Sequence, residues 1–341
     1  MSSKLESIFT RAWLRRGPLA VALLPLALLF RLLAALRVLL YRLGIKSSER
    51  LPVPVIVVGN IFIGGTGKTP LTIWLAESLR GAGLRPGIIS RGHGGAESAL
   101  RAVTPQSAAG EVGDEPLLIA ARTGSPVVVG RRRAQAGRAL LAAHPEVNVL
   151  IADDGLQHYA LGRDVEIVLF DGRGVGNGWL LPAGPLREPP SRRRDFTVVN
   201  APELTPALAT AVGGTPYRMQ LSGEFAEPLN GGARVPLDDL RGKRIVAAAG
   251  IGNPGRFFAM LKNSGLTVGE LPLPDHHDFL DRPFDAVDAD IILITEKDAV
   301  KCRQIDNLKD DPRLWVVPVT AQLDARLAEQ IVEKCRGRST A

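Results

Sequence analysis

Residues 54–80 read PVIVVGNIFIGGTGKTPLTIWLAESLR, and this stretch decides the fold. The β-branched run Val55–Val58 predicts a buried strand, and leucines recur every four residues in the segment that ends the stretch. Between the two, the glycine-rich sequence Gly64–Thr69 lies where the strand would end and the helix would begin. This strand–loop–helix order is typical of a phosphate loop that binds a nucleotide.

The loop itself carries the chemistry of a phosphate site. Its glycines let successive backbone N–H groups surround phosphate oxygens, and the following helix adds positive potential at its N-terminus. Lys68 is expected to neutralise the β- and γ-phosphates of ATP, and Thr69 to ligate Mg²⁺. The usual pattern begins with a glycine at position 62, where this chain has Phe62. The predicted ATP-binding residues are Gly64, Gly65, Thr66, Gly67, Lys68 and Thr69.

Beyond the loop, short apolar runs alternate with segments of helical periodicity. Strands are predicted at Val55–Val58, Ile88–Ser90, Pro126–Gly130, Val147–Asp153, Val165–Asp171, Phe196–Asn200, Tyr217–Leu221, Ile245–Ala249, Ile291–Thr295 and Leu314–Val319. This alternation predicts an α/β fold: a P-loop NTPase-like parallel sheet with helices on both faces, plus a smaller second α/β domain. The predicted boundaries are a membrane-associated helix in 1–45, the phosphate-loop domain in 46–215, a two-stranded linker in 216–240 and the second domain in 241–341.

The N-terminal segment is apolar from Leu19 to Phe30, and the pattern continues with Arg31, Arg37 and Arg42 as interruptions. A spanning helix needs about 20 apolar residues, and the uninterrupted run is shorter. A signal peptide would need a small-residue cleavage site, and none follows the run. We therefore favour a helix that lies in the membrane interface with its arginines on headgroups, with a single span or a buried core helix as alternatives.

Composition narrows the choice of partners. The 341 residues carry a formal net charge of +7, which favours an anionic partner such as an acidic membrane surface or a phosphorylated substrate. Aromatic residues make up only 5% and no basic run is interleaved with them, which argues against nucleic acid. Arg131–Arg133 and Arg192–Arg194 are basic runs that could hold an anionic group. Cys302 and Cys335 are expected to be reduced thiols.

Several acidic residues and histidines are candidates for chemistry. Asp153 and Asp154 end a predicted strand, at the sheet edge where ligands bind in parallel α/β proteins, so one of them is expected to hold Mg²⁺. A turn without metal is the alternative. Asp114 could take a proton from a substrate hydroxyl, although the residues alone favour a helix N-cap. His276 and His277 could orient a proton or lie in a surface loop.

A second glycine pattern, Gly250-x-Gly252-x-x-Gly255, follows a predicted strand and superficially meets the dinucleotide fingerprint. Pro254 lies within the turn, and the phosphate loop offers a better nucleotide site. We therefore interpret the pattern as a tight strand-to-helix turn.

Taken together, these residues resemble the tetraacyldisaccharide 4′-kinase family of lipid A biosynthesis. The matching pieces are Gly59-Asn60, Gly64–Pro70, Ser90–Gly92, Gly113–Pro116, Asp153–Gly155, Gln157-His158, Gly184–Glu188, Ala249–Pro254, Arg256-Phe257, Asp275-His276 and Thr295–Asp298. The chain departs from the family pattern at His93, where tyrosine is usual, and at Leu156, where phenylalanine is usual.

The resemblance implies roles that the residues alone leave open. Asp114 becomes the general base, with His276 paired to it, and Lys68 acts on the transferred phosphate. Glu188 joins Thr69 and one or both aspartates around Mg²⁺. The implied substrate-binding residues are Arg91, Asn60, Gln157 and His158.

The family transfers phosphate from ATP, with Mg²⁺, to the 4′-hydroxyl of a tetraacylated glucosamine disaccharide 1-phosphate. Because the acyl chains of that substrate stay in the bilayer, we expect the chain at the cytoplasmic face of the bacterial inner membrane, peripheral or anchored by one helix. No nucleic acid and no obligate protein partner are expected. The family fold has two α/β domains, a short two-stranded linker and an N-terminal membrane-facing helix.

Two other functions share a phosphate loop. A membrane-docked ATPase switch of the partitioning type has a lysine before the double glycine, where this chain has Ile63. A GTPase would read guanine with Asn-Lys-x-Asp, and Thr295–Asp298 lacks the leading asparagine.

Overall fold

The structure is a computed structural model that describes residues 12–92 and 100–337, so His93 lies outside the described residues. The strands, in chain order, are β1 (Val55–Gly59), β2 (Pro86–Ser90), β3 (Arg101–Ala102), β4 (Val127–Val129), β5 (Val149–Asp153), β6 (Val165–Asp171), β7 (Phe196–Asn200), β8 (Pro216–Ser222), β9 (Phe225–Pro228), β10 (Val235–Pro236), β11 (Ile245–Ala249), β12 (Val268–Pro272), β13 (Ile291–Thr295), β14 (Leu314–Val317) and β15 (Thr320–Gln322).

The α-helices are α1 (Pro18–Ala22), α2 (Leu24–Arg42), α3 (Lys68–Gly81), α4 (Ala109–Val112), α5 (Asp114–Thr123), α6 (Arg133–Ala143), α7 (Pro206–Val212), α8 (Pro254–Asn263), α9 (Glu296–Cys302), α10 (Asp306–Lys309) and α11 (Ala325–Arg336). A 3₁₀ turn spans Leu237–Leu240.

Nine strands form the larger sheet, in the order β15-β8-β7-β6-β1-β5-β2-β4-β3. Strand β1 lies between β5 and β6 and is parallel to both. Val58 of β1 is in register with Asp153 of β5. Because the carboxyl ends of parallel strands meet at one edge, the phosphate loop after β1 and the two aspartates after β5 emerge side by side.

Helices cover both faces of this sheet. Alternate residues of β1 pack on opposite sides, as the twofold period of a strand requires. Ile56 and Val58 contact the core beneath α3 and α11, whereas Val55 and Val57 contact the core beneath α6. The leucines that recur along α3 are fully buried, and each contributes about 1.5–3 kcal/mol to folding. The predicted α/β fold with a parallel sheet is confirmed.

Six strands form the second, smaller sheet, in the order β10-β9-β14-β13-β11-β12. The pairs β11–β12, β11–β13 and β13–β14 are parallel, and β9 adds to β14 in the antiparallel direction. Phe257 and Leu261 of α8 bury one face of the sheet, and Ala299 and Cys302 of α9 bury the other.

Sheet membership departs from the predicted boundaries at two places. Of the segment 216–240, expected as a two-stranded linker, β8 belongs to the larger sheet and β9 to the smaller one. Of the segment 241–341, expected as the second domain, β15 and α11 return to the larger sheet. The apolar side of α11 explains this return, because Leu327 and Ile331 are fully buried in the same core as α3.

The N-terminal helix α2 remains largely outside the core. It has 19 residues and a mean hydropathy of 1.9, so by length and composition alone it could cross a membrane. Only Ala27 of this helix is buried, which makes the alternative of a buried core helix wrong. Its exposed leucines are Leu26, Leu28, Leu29, Leu32, Leu33, Leu36 and Leu39. The cleft is the space beside the sheet edge where the phosphate loop and the two aspartates emerge. The helix docks next to the cleft through Arg37, which donates to the Gln157 carbonyl at 3.3 Å, and through Tyr41, which packs on Tyr159.

Candidate active site

The phosphate loop begins after β1 and ends at the start of α3. Gly64 and Gly67 have φ values of 98° and 100°, in the left-handed region that favours glycine. At Gly67 a side chain is also excluded, because a Cβ atom would lie 2.5 Å from Nδ2 of Asn200. Helix α3 starts at Lys68, so its first N–H groups face the loop. The local geometry is that of an anion-binding loop.

Two buried asparagines hold the loop in shape. Nδ2 of Asn60 donates to the carbonyl oxygens of Phe62 at 2.7 Å and Gly64 at 3.1 Å. Nδ2 of Asn200, the last residue of β7, donates to the carbonyl of Thr66 at 2.9 Å. Asn60 is thus placed beneath the loop, and not at the surface of the cleft where a substrate residue was expected. Asn200 was not predicted as a functional residue. The one feature of the sequence that could have indicated its role is that a polar residue ends a buried strand.

Phe62 replaces the first glycine of the usual pattern, and the structure shows what it does instead. Its side chain is only 3% exposed, and its backbone forms an isolated bridge with Leu186. The guanidinium of Arg173 lies 4.2 Å from the centre of its ring. Phe62 is therefore a support for an arginine beside the loop.

Lys68 and the two aspartates form the charged centre of the cleft. Nζ of Lys68 lies 3.8 Å from Oδ1 of Asp154, and Nη1 of Arg187 lies at the same distance from that oxygen. Asp153 is buried and accepts hydrogen bonds from Thr72 and Ser90. The pKa of Asp153 is raised to about 7, chiefly by burial and also by the neighbouring carboxylates of Glu115 and Asp154.

These residues fit a magnesium ion. Oδ1 of Asp154 is buried and has no hydrogen-bond donor among the described residues, since Lys68 and Arg187 lie 3.8 Å away, beyond hydrogen-bond distance. This oxygen is therefore open to a metal ion. Thr69 lies in the first turn of α3, and Asp153 lies next to Asp154 in the chain, so the donors are all oxygens, as Mg²⁺ prefers.

Glu188, expected as a further metal ligand, is held by other side chains in this structure. Its Oε1 accepts from Gln157 at 2.9 Å, and its Oε2 accepts from the Tyr159 hydroxyl at 2.7 Å and from Arg192 at 2.8 Å. Gln157, expected to contact substrate, thus supports Glu188. The phenol of Tyr159 has a pKa that burial and the Glu188 carboxylate raise, so it stays a hydrogen-bond donor.

Asp114 and His276 come together although 162 residues separate them. Asp114, the first residue of α5, is 5% exposed, and its Oδ2 lies 3.0 Å from Nδ1 of His276. Burial would raise the pKa of Asp114, but the hydrogen bond with His276 and the charges of Lys297 and Lys301 lower it well below its usual value. The same hydrogen bond raises the pKa of His276. The pairing that the resemblance implied is present.

Helix α9 brings two lysines to this pair. Nζ of Lys301 is buried and lies 3.4 Å from Oδ2 of Asp114. Nζ of Lys297 lies 3.1 Å from Oε1 of Glu115 and 3.3 Å from Nε2 of His276. The second domain therefore supplies the cations that keep Asp114 ionised. From the sequence, Lys297 was named only as part of the Thr295–Asp298 motif and Lys301 was not named, since only the packing of α9 on α5 gives the two lysines this role.

A basic group lines the cleft on the side of the N-terminal helix. Arg133 is 3% exposed, and its backbone N–H lies 3.4 Å from Nε2 of His158. The pKa of His158 is lowered to about 4, chiefly by burial and also by the charges of Arg133, Arg163, Arg37 and Arg91, so the ring is neutral at pH 7. Arg91 directly follows β2 and is exposed. Arg91 and His158, both expected to contact substrate, therefore lie in one positively charged region.

The second glycine pattern meets the phosphate loop. A Cβ atom on Gly252 would lie 2.9 Å from the backbone nitrogen of Gly65. The N–H of Gly250 donates to Oδ2 of Asp298, whose carboxyl is fully buried. A side chain at position 252 would clash with the loop, because the second domain packs directly on it. Gly250 and Gly252 lie between the end of β11 and the start of α8, in the strand-to-helix turn that the sequence predicted.

Comparison with known proteins agrees with this geometry. The sequence model of the LpxK family, described as tetraacyldisaccharide-1-P 4′-kinase, matches residues 19–336. Proteins named tetraacyldisaccharide 4′-kinase are 61% identical in Herminiimonas arsenicoxydans, over 99% of this chain and 98% of that protein, and 62% identical in Janthinobacterium sp. (strain Marseille), over 99% of each.

Among solved structures, the "apo" form of LpxK from Aquifex aeolicus in complex with ATP superposes with a TM-score of 0.76 at 31% identity. The match covers 93% of this chain and 99% of that one. The resemblance read from the motifs is confirmed over nearly the whole length, and the chain belongs to the tetraacyldisaccharide-1-phosphate 4′-kinase family.

Proposed function

We propose that this chain transfers the γ-phosphate of ATP to the 4′-hydroxyl of a tetraacylated glucosamine disaccharide 1-phosphate at a membrane surface. The observation that carries the proposal is the Asp114–His276 hydrogen bond, formed between the two domains beside the phosphate loop. A buried, ionised carboxylate is a group that can receive a hydroxyl proton. Family membership supports the same acceptor.

The residues of the loop position the donor. The backbone of Gly64–Gly67 and the start of α3 bind phosphate oxygens, and Lys68 neutralises the transferred group. Thr69, Asp153 and Asp154 would hold Mg²⁺, with Glu188 as a further ligand if its partners release it. When bound, the ion supplies charge neutralisation to the phosphates.

The residues between the domains act on the acceptor. Asp114 accepts a hydrogen bond from the 4′-hydroxyl and takes its proton as the hydroxyl oxygen bonds to the γ-phosphorus of ATP. The bond between that phosphorus and the β–γ bridging oxygen breaks in the same step, and ADP leaves. His276, through Nδ1, fixes the orientation of the Asp114 carboxylate. The hydrogen bond with His276 and the charges of Lys297 and Lys301 keep this carboxylate ionised before transfer. Arg91 and the neutral His158 lie in the basic region that would receive the anionic sugar.

The N-terminal helix explains how a lipid-linked substrate is reached. Its exposed leucines suit the acyl region of a bilayer, and its arginines suit the headgroups. Trp13 donates from Nε1 to the Pro182 carbonyl at 2.9 Å, which ties this region to the loop before Glu188. We place the chain at the cytoplasmic face of the inner membrane, where ATP is supplied, either peripheral or anchored by one helix, with no obligate protein partner.

The test is transfer from γ-labelled ATP to the tetraacyldisaccharide 1-phosphate in detergent micelles, with wild type and Asp114→Ala. Labelled lipid from wild type, and a loss of at least a hundredfold in the variant, would support both the kinase and its base. If transfer survives the substitution, the chain would still be a kinase, but Asp114 would not be its general base. ATP hydrolysis without labelled lipid would favour the ATPase switch.

A further inference from the structure

A charged cluster, made of Asp171, Arg173 and Arg256, lies beside the phosphate loop. Asp171 ends β6 and its side chain is fully buried. Nε and Nη2 of Arg173 lie 3.0 Å and 2.7 Å from the carboxylate oxygens of Asp171. Arg256 comes from α8 in the second domain, and its Nη2 lies 3.3 Å from Oδ2 of Asp171. One buried carboxylate thus holds an arginine from each domain.

The cluster carries one positive charge more than its carboxylate balances. Burial lowers the pKa of Arg256, as does the Arg173 guanidinium, while Asp171 raises it. Two guanidinium groups that share a single acid in a largely buried place would be stabilised by an additional anion. The two side chains remain 24% and 30% exposed, so a ligand can reach them.

The unused donors of the cluster lie on the phosphate-loop side. Nη1 of Arg173 has no hydrogen-bond partner among the described residues, and it lies 3.8 Å from the position that a Cβ would take on Gly64. Nη2 of the same arginine is 3.5 Å from the Gly65 carbonyl oxygen. Phe62 supports the guanidinium from below. The guanidinium of Arg256 has five N–H donors, more than the contact of Nη2 with Oδ2 of Asp171 uses.

We propose that Arg173 and Arg256 bind the phosphate chain of the nucleotide together, one from each domain, and that Asp171 positions both. This inference rests on the proposed ATP-dependent function of the site. It adds a charge contact from the second domain to those of Lys68 and the loop, in the manner of an arginine supplied in cis to a phosphate-transfer site. Nucleotide binding would then link the domains, because Gly252 already packs on Gly65 and Arg256 would complete the enclosure.

The test measures nucleotide affinity without lipid, by displacement of a fluorescent ATP analogue from the full chain. Arg256→Met and Arg173→Met are expected to weaken ATP binding at least tenfold each, because each removes charge-assisted hydrogen bonds to phosphate. Adenosine has no phosphate, so its affinity should stay within about twofold. Arg241→Met is the control, because Arg241 is an exposed second-domain arginine paired with Asp238. It should bind ATP as the wild type does.

Small-angle scattering adds a readout that does not depend on affinity. Wild type should become more compact with ATP, and Arg256→Met should not, at ATP concentrations that saturate each protein. Arg256→Lys keeps the positive charge and replaces Arg256→Met in both measurements if the methionine variant unfolds. It should recover part of the ATP affinity. Wild-type ATP affinity in Arg256→Met would overturn the proposal. If wild type binds ATP but labels no lipid, the proposed function is wrong. The ATP affinities of wild type and the two methionine variants would still show whether Arg173 and Arg256 bind the phosphate chain.

Discussion

Lys301 reaches across the boundary between the two domains to Asp114, with 3.4 Å between Nζ and Oδ2. The amine is buried, and the ring of Phe279 lies 5.5 Å from it. A buried lysine is costly unless an acid balances it, and Asp114 has the same need for a cation. The charge state of the expected base therefore depends on a helix that belongs to the other domain.

Lys301→Met should lower the rate of phosphate transfer about tenfold or more without a comparable rise in the KM for ATP. Removal of the cation takes away an ion-pair partner 3.4 Å from the Asp114 carboxylate and so loosens its orientation, whereas the phosphate loop is untouched. Lys301→Arg should recover part of the rate. The measurement is kcat and KM in micelles, with Lys309→Met, at an exposed pair with Asp306, as the control. A wild-type kcat in Lys301→Met would contradict the assignment.

The Asp114–His276 pair should make stability depend on pH in a defined direction. The pKa of His276 is raised in the folded state above its ordinary value of 6.5. A group of this kind stabilises the fold fully below its unfolded pKa and ceases to do so as pH rises through the folded value. The difference in Tm between wild type and His276→Asn should therefore be larger at pH 6 than at pH 9.

The control for this prediction is His144→Asn, which removes an exposed imidazole that lies 3.3 Å from Glu146, far from the cleft. Thermal unfolding followed by circular dichroism measures both variants at both pH values. A Tm difference for His276→Asn that stays constant, or grows, between pH 6 and pH 9 would show that the charge of His276 adds no stability.

Gly252→Ala should separate the second domain from the phosphate loop. The added Cβ would lie 2.9 Å from the Gly65 nitrogen, a backbone atom that cannot move aside without deforming the loop. We expect ATP affinity to fall about tenfold or more. Gly255→Ala is a matched control, because its Cβ would have only an ordinary contact at 3.8 Å and alanine favours the helix it lies in. Equal ATP affinity in the two variants would contradict direct packing on the loop.

The exposed leucines of α2 should govern membrane binding. Replacement of Leu32 and Leu33 by glutamine removes two side chains that are 65% and 56% exposed, and each buried leucine is worth about 1.5–3 kcal/mol. Sedimentation with vesicles that contain anionic lipid should show binding at least tenfold weaker. Leu280→Gln, at a leucine that is 72% exposed on the second domain, should bind vesicles normally. Identical losses in both variants would rule out a specific role for α2.

Much of the fold could be predicted because local patterns determine it. The bounds of β6, β7, β11 and β13 agree with their apolar runs, and the phosphate loop follows from its glycines. Contacts between residues far apart in the chain were harder to predict from the sequence. Residues alone favoured a cap at Asp114, since His276 is distant in the chain, and only the resemblance implied their pairing.

Other residues were missed because tertiary approach alone gives them a role. Asn200 looks like the end of any buried strand, and Lys301 like any lysine on an amphipathic helix, until β7 and α9 are placed. The return of β15 and α11 to the larger sheet was missed for a related reason. A short strand and an amphipathic helix at the end of a chain can pack on either sheet, and their hydrophobic pattern does not indicate which sheet they join.

That return has a consequence for how the molecule moves. The second domain is an insertion: the chain leaves the first domain after β8 and re-enters it at β15, and these two strands are antiparallel neighbours in which Ser222 pairs with Thr320. Its two covalent connections thus lie side by side at one edge of the sheet. Two connections paired in this way would let the second domain rotate toward and away from the phosphate loop and would restrict its twisting, so we expect His276 to approach Asp114 from one direction.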